Sequence, residues 1–195
     1  MPKGPIMKFA IISFYLLIVS ATFVHAQNSS SAPARLSVPD LQVVDQNGHH
    51  LRFSSDVLKD RTAVINTFFT NCAAICPITQ ETFSKLAKSL SSRLGRDLVL
   101  ISISVDPEQD TPQRMKAWGK KFNVGSGWVL LSGNKNETEA LLKSLGLFAP
   151  GSQRHQTTVL IGNRNSGWIR ASGFASEQKL QKMIEEFEPA AVAAK

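Results

Sequence analysis

The sequence predicts an α/β domain: a central, mainly parallel sheet with helices on both faces and a β-hairpin at its N-terminal end. Three observations carry this. First, β-branched apolar runs alternate with segments whose apolar positions recur every three or four residues, the periods of a strand and of a helix. Second, the runs at 62–70 and 97–105 are apolar almost throughout, as in strands covered on both faces. Third, Asn47-Gly48 stands between short apolar stretches at 41–44 and 50–53, the pattern of a tight hairpin turn. Alternating strands and helices favour parallel neighbours, because each crossover helix returns the chain to the same end of the sheet.

Taken in order, residues 1–26 are expected to be a secretory signal peptide. Lys3 and Lys8 form a basic start, 9–24 is apolar apart from Ser13, Ser20 and Thr22, and Val24-His25-Ala26 supplies small residues for cleavage. The apolar stretch of about 16 residues falls short of the ~20 that a spanning helix needs, which favours cleavage over an uncleaved membrane anchor. The protein is therefore expected to be exported to the periplasm, soluble after cleavage or held at the inner membrane if the segment stays. Residues 27–38, rich in Ser, Ala and Pro, read as a flexible leader, 39–188 as the folded domain, and 189–195 as a C-terminal tail.

Within the domain, the hairpin is followed by the strand at 62–70 and by a helix from Pro77. Ile78, Phe83, Leu86, Ala87, Leu90 and Leu94 share one face of that helix, and Gly95 ends it. After the strand at 97–105, Thr111 caps and Pro112 opens a helix that runs through Met115 and Trp118 to Phe122. A short strand at 128–131 leads to a helix capped by Asn136 and stopped at Gly146. A strand pair at 157–161 and 168–172 is joined by a Gly- and Asn-rich stretch. Ser176 then caps a last helix that ends near Phe187. Trp118, Trp128 and Trp168 are expected to pack in the core.

The net charge is +7, from 22 basic and 15 acidic side chains, and becomes +5 (7 − 2) without Lys3 and Lys8. The basic residues are scattered among acids with no aromatic-interleaved stripe, so nucleic acid is not an expected partner. A weak attraction to an anionic membrane surface or an acidic protein patch fits this balance better.

The chemistry concentrates at Cys72 and Cys76, the only cysteines, four apart where the first long strand meets its helix. Pro77 disfavours helical angles at Cys76 and suits a first helical position, so Cys76 is expected at or just before the helix start and Cys72 in the preceding loop. There the helix dipole and unsatisfied N–H groups favour thiolate. A bridge across so short a loop would remove little unfolded-state entropy. A metal-binding pair, a redox pair and a structural bridge all remain open on the residues, with metal favoured: the loop is one residue longer than Cys-x-x-Cys, so two sulfurs can face a common point without bonding. A strand–cysteine-loop–helix of this kind is where a thioredoxin-like fold places its chemistry, at the carboxyl ends of the parallel strands. His155, directly before the strand at 157–161, stands where such folds carry a proline beside the cysteines, and would complete a Cys2His set. His49 and His50 adjoin the hairpin turn and read as solvated turn residues. Asp106, at a strand's carboxyl end, is a candidate supporting group for the site.

These residues carry a resemblance. Cys-x3-Cys-Pro after a strand, the stretch from Ser102 through Asp106-Pro107 to Asp110-Thr111-Pro112, and the His before Thr157-Thr158 resemble the Sco/SenC family of exported, thioredoxin-like copper chaperones. The resemblance covers roughly residues 41–187. It implies Cys72, Cys76 and His155 as copper ligands, copper as the bound metal and a copper-accepting subunit of cytochrome c oxidase as the partner. The alternative function is a thiol–disulfide oxidoreductase that keeps such a partner's cysteines reduced, using Cys72 and Cys76 as its redox pair. A metal carrier is favoured over an enzyme.

Overall fold

The computed structural model describes residues 33–73, 75–150 and 157–193. The description below concerns the compact unit Ser31–Lys195. Its elements in order are β1 (Gln42–Asp45), β2 (His50–Arg52), a π-helical segment (Phe53–Leu58), β3 (Thr62–Phe68), α1 (Ile75–Ser89), β4 (Leu98–Ser104) and α2 (Pro112–Lys120). They continue with β5 (Trp128–Ser132), α3 (Lys135–Ser144), β6 (Thr158–Asn163), β7 (Gly167–Ser172) and α4 (Glu177–Ala193).

The strands form one seven-stranded sheet in the order β2-β1-β5-β4-β3-β6-β7. The pairs β3/β4 and β4/β5 are parallel, while the four other pairs are antiparallel. The sheet is thus more mixed than the mainly parallel sheet expected. The crossovers through α1 and α2 set a parallel centre. The tight turns of β1–β2 and β6–β7 can join only antiparallel strands, and they close both edges.

Alternation along the central strands feeds two cores. Val64 and Phe68 of β3 meet Phe83 and Leu86 of α1, Trp118 of α2 and Ile184 of α4 on one face. Ala63 and Ile65 meet Leu141 of α3 and Phe53 and Val57 of the π-helical segment on the other. Both parallel crossovers step in the same direction, which puts α1 and α2 on one face; α3, leading to antiparallel β6, takes the other. All three tryptophans are buried as expected.

Local chemistry explains where the structure departs from the sequence expectation. The cap of α3 is Asn134, with extended backbone (φ −61°, ψ 138°) and a side-chain oxygen that accepts the Asn136 N–H; Asn136 itself lies inside the helix. Helix α4 continues through Pro189 to Ala193. Pro189 forfeits one intrahelical hydrogen bond there, while the alanines around it are the best helix formers. The segment at 53–58, not foreseen, is held by Asp40, whose carboxylate accepts the Ser54 and Ser55 N–H groups and the Ser55 hydroxyl at 2.9–3.0 Å. The expected caps at Thr111 and Ser176 are present, accepting the N–H of Arg114 and Lys179.

Candidate metal centre

Strands β3 and β4 run parallel in full register, Thr62 beside Leu98 and Phe68 beside Ser104, so both release their chains at one end of the sheet. From β3 the chain passes through Phe69–Thr70–Asn71 to Cys72, whose N–H donates to the Phe69 carbonyl (3.1 Å). Helix α1 then starts at Ile75, two residues earlier than Pro77, so Cys76 lies in its first turn rather than ahead of it. The first-turn amides of a helix lack intrahelical acceptors, so a proline at this point forfeits no bond and can be accommodated.

One of those unsatisfied amides is used by the site. The Cys76 N–H donates to the Cys72 sulfur at 3.3 Å. Cys72 thereby occupies the place of a capping side chain at the positive end of α1, which favours electron density on its sulfur. The two sulfurs differ in access: Cys72 is half-buried and Cys76 fully buried, and no disulfide joins them. Burial pushes the Cys76 thiol up to about 12, helped by a hydrogen bond with Cys72 and the negative charges of Cys72 and Asp110; a backbone bond from Phe69 acts the other way. At neutral pH Cys76 therefore keeps its proton until something, such as a metal ion, displaces it.

Beneath the loop lies a buried carboxylate, from the residue that precedes the Thr111 cap of α2. Asp110 is 1% exposed. Its Oδ1 accepts the Thr70 N–H (3.0 Å) and the Thr70 hydroxyl (2.6 Å), and its Oδ2 accepts the Ser104 hydroxyl (2.6 Å). It joins the strand ends of β3 and β4 to the loop before α2, two residues short of Cys72. Arg114 of α2 adds a second tie, donating to Asn71 Oδ1 at 2.7 Å. The available signal was Ser102 and Ser104 recurring on one face of an otherwise apolar strand: buried hydroxyls need partners.

The other candidates fall as follows. Asp106 is half-buried, its N–H bound to the Ser104 hydroxyl (3.0 Å). Its side chain lines a cavity of about 300 Å³ with Glu108, Lys135, Leu142 and Phe148. Burial raises its carboxyl above the usual range, as do the charges of Asp110 and Glu108. The carboxylate whose field reaches Cys76 is Asp110. His155 lies outside the described residues. Thr157, two residues on, accepts a backbone bond from Gly173 (2.7 Å) just before β6. Since β6 is antiparallel to β3, it begins at the thiol end. His49 is an exposed turn residue bound to Asp45 (3.0 Å), and His50 is exposed beside Gln42. Among the described residues no group of three His, Cys, Asp or Glu side chains could hold a metal ion, so Cys72 and Cys76 supply a two-sulfur set that a further donor would complete.

A family model described as SCO1/SenC matches residues 29–188. A protein of Stutzerimonas stutzeri named for copper binding is 34% identical over 122 residues, 62% of this chain and 58% of that protein. The chain spans between half and three-fifths of the length of the first curated relatives it matches, 58% and 51% for the first two. The structure of BsSco, which identified a disulfide switch in a member of the Sco family of cytochrome c oxidase assembly proteins, superposes with a TM-score of 0.68 at 25% identity, covering 82% of this chain and 96% of that one. ScoI of Bradyrhizobium japonicum, solved with copper bound, gives a TM-score of 0.64 at 22% identity, covering 77% and 99%.

Proposed function

The chain belongs to the SCO1/SenC family, and from that premise we propose that it is an exported copper carrier that binds the ion through Cys72, Cys76 and His155 and passes it to a copper-accepting subunit of cytochrome c oxidase. The observation that carries this reading is the Cys76 N–H on the Cys72 sulfur. It supports two soft donors gathered at a helix start, in a loop fixed from below by Asp110. Soft thiolates select Cu(I), and imidazole adds affinity for Cu(II). Binding displaces the Cys76 proton, and both sulfurs must be reduced, so loading depends on pH and on redox state. The Stutzerimonas relative named for copper binding and the copper-bound ScoI support copper as the ion.

The second reading, a thiol–disulfide reductase, draws on the accessibility of Cys72. In that reaction Cys72 as thiolate attacks a partner disulfide and one partner thiolate leaves. Cys76 then loses its proton and displaces the second, so two electrons pass to the partner and Cys72–Cys76 closes. The raised Cys76 thiol slows the second step at neutral pH. Cu(I) competition with a chromophoric chelator separates the two. The reduced protein is expected to bind one Cu(I), and Cys72→Ser or Cys76→Ser to abolish it. Equal binding by the double serine variant would overturn the copper reading, and rapid insulin reduction by the wild type would favour the reductase.

A further inference from the structure

We propose that the end of the sheet opposite the thiol pair docks on an anionic membrane surface, leaving Cys72 and Cys76 facing away from it. The three parallel strands start at that end, and the loops that feed them touch one another. The Thr62 N–H donates to the Asp97 carbonyl (2.9 Å), Arg61 to the Gly95 carbonyl (3.4 Å), and the Leu100 N–H to the Gly127 carbonyl (2.9 Å). The β6–β7 turn arrives at the same end, because Gly162 pairs with Ala63 near the start of β3. These loops gather Lys59, Arg61, Arg96, Lys120, Lys121 and Arg164. Among the described residues, no carboxylate lies within ion-pair distance of Lys59, Lys120, Lys121 or Arg164, and all four are exposed.

The acids of this end are Asp56, Asp60, Asp97 and those in the last turns of α4. Arg93 occupies Asp97 and Glu188, while Glu186 pairs with Lys182 (3.6 Å) and Glu185 is exposed. The basic excess therefore lies on the loops. The other end carries Asp106, Glu108 and Asp110 beside the site. Among the described residues, four exposed cations without a carboxylate partner thus cluster at the end away from the thiols, whereas the site end has Arg114 tied to Asn71 and Lys135 paired with Glu108. Cations so placed favour a phosphate-bearing surface, and Lys and Arg near anionic lipid each add to the attraction.

The occupant follows from a second observation. Ala34, among the first described residues, exchanges backbone hydrogen bonds with Trp168 at the start of β7 (2.8 and 2.9 Å). The first described residues of the domain therefore lie at the basic end and not beside the thiols. This rests on the proposed export of the chain, which brings the domain to the face of a membrane with this end available. From Thr62 to Phe68 the β3 strand spans roughly 20 Å, so a domain seated on its basic end holds the thiol pair about that far out, where a partner's soluble part can reach it.

Residues 31–195 are a compact unit holding every described strand and both cores, so the domain can be tested beside the full chain. Sedimentation with phosphatidylcholine vesicles, with and without a third of phosphatidylglycerol, reads the binding. The domain is expected to bind only the anionic vesicles and to be released by salt. Lys59→Glu, Lys121→Glu and Arg164→Glu together are expected to weaken binding at least about tenfold. A control triple at Lys85, Lys116 and Lys179 carries the same charge change on the helices and is expected to stay within about threefold. On vesicles, a membrane-impermeant maleimide should label Cys72 of both the domain and the full chain as fast as in solution. Binding to neutral vesicles alike, equal weakening by both triples, or protection of Cys72 on vesicles would each overturn the proposal.

Discussion

Replacing Asp110 tests whether the thiol loop is held from below. The carboxylate is buried and accepts three hydrogen bonds, two from Thr70 and one from Ser104. Bonds to a charged group contribute about 1.5–3 kcal/mol each, and a donor left unsatisfied in the interior costs about 1–3 kcal/mol. The two hydroxyls can rotate to other acceptors, but the Thr70 N–H cannot. Asp110→Ala is therefore expected to cost about 3–5 kcal/mol, a large part of the ~5–15 kcal/mol that holds a domain folded. Asp110→Asn keeps an acceptor for Thr70 and can donate to Ser104, so about 1–2 kcal/mol is expected there. Urea unfolding should show a lower midpoint with an unchanged slope, and the alanine variant should melt roughly 10 °C lower. Below the transition, Cys72 in the alanine variant should alkylate faster than in the wild type, because its loop is no longer tied to β4. Asp106→Asn, at a half-buried side chain in the neighbouring cavity, is the control and should change stability little. A cost below about 1 kcal/mol for Asp110→Ala would refute the clamp.

The remaining predictions concern the thiols, the third ligand and the loops beneath the sheet. The Cys76 thiol lies above its ordinary value of 9.0, at about 12. Below pH 9 folded and unfolded chains both keep its proton and the contribution to stability is whole. Between 9 and 12 the unfolded chain releases it first, so stability falls by up to about 1.4 kcal/mol per pH unit. That loss should be seen as the difference between wild type and Cys76→Ala in urea midpoints above pH 9, and parallel curves would contradict it. His155→Ala should sharply weaken the sulfur-to-copper charge-transfer absorption of the Cu(II) form and affect Cu(I) binding less; an unchanged Cu(II) spectrum would exclude His155 as a ligand. Gly127→Ala should cost about 2–4 kcal/mol, since Gly127 has φ +79° and an added Cβ would lie 2.5 Å from the Leu94 Cβ and 2.7 Å from the Gly95 nitrogen. A wild-type melting temperature would show that the loops yield there.

Much of this domain was readable residue by residue, for identifiable reasons. The strands at 62–70 and 97–105 announced themselves because burial on both faces demands unbroken apolar runs, and Thr111-Pro112 and Ser176 mark helix starts through side-chain chemistry that acts locally. Cys72 and Cys76 were legible as a site because their spacing and the following proline place them at a strand–helix junction. What the sequence hid depends on contacts distant in the chain. The antiparallel edges follow from where β1 and β6 dock, and nothing within those strands specifies their neighbours. Asn134 outcompeted Asn136 as a cap because the chain leaves β5 extended up to residue 134. The π-helical segment at 53–58 depends on Asp40, some fifteen residues earlier. Asp110 looks in sequence like part of a helix start, and only the fold reveals that its carboxylate points back under Thr70, forty residues away.

The central claim is that Cys72 and Cys76 together hold a copper ion. X-ray absorption at the copper K-edge on the reduced, Cu(I)-loaded full chain tests it most directly. Two sulfur donors at one copper, with no bound copper left in Cys72→Ser or in Cys76→Ser, is the predicted result. A copper surrounded by nitrogen and oxygen alone, or a sulfur count that neither serine substitution changes, would contradict it.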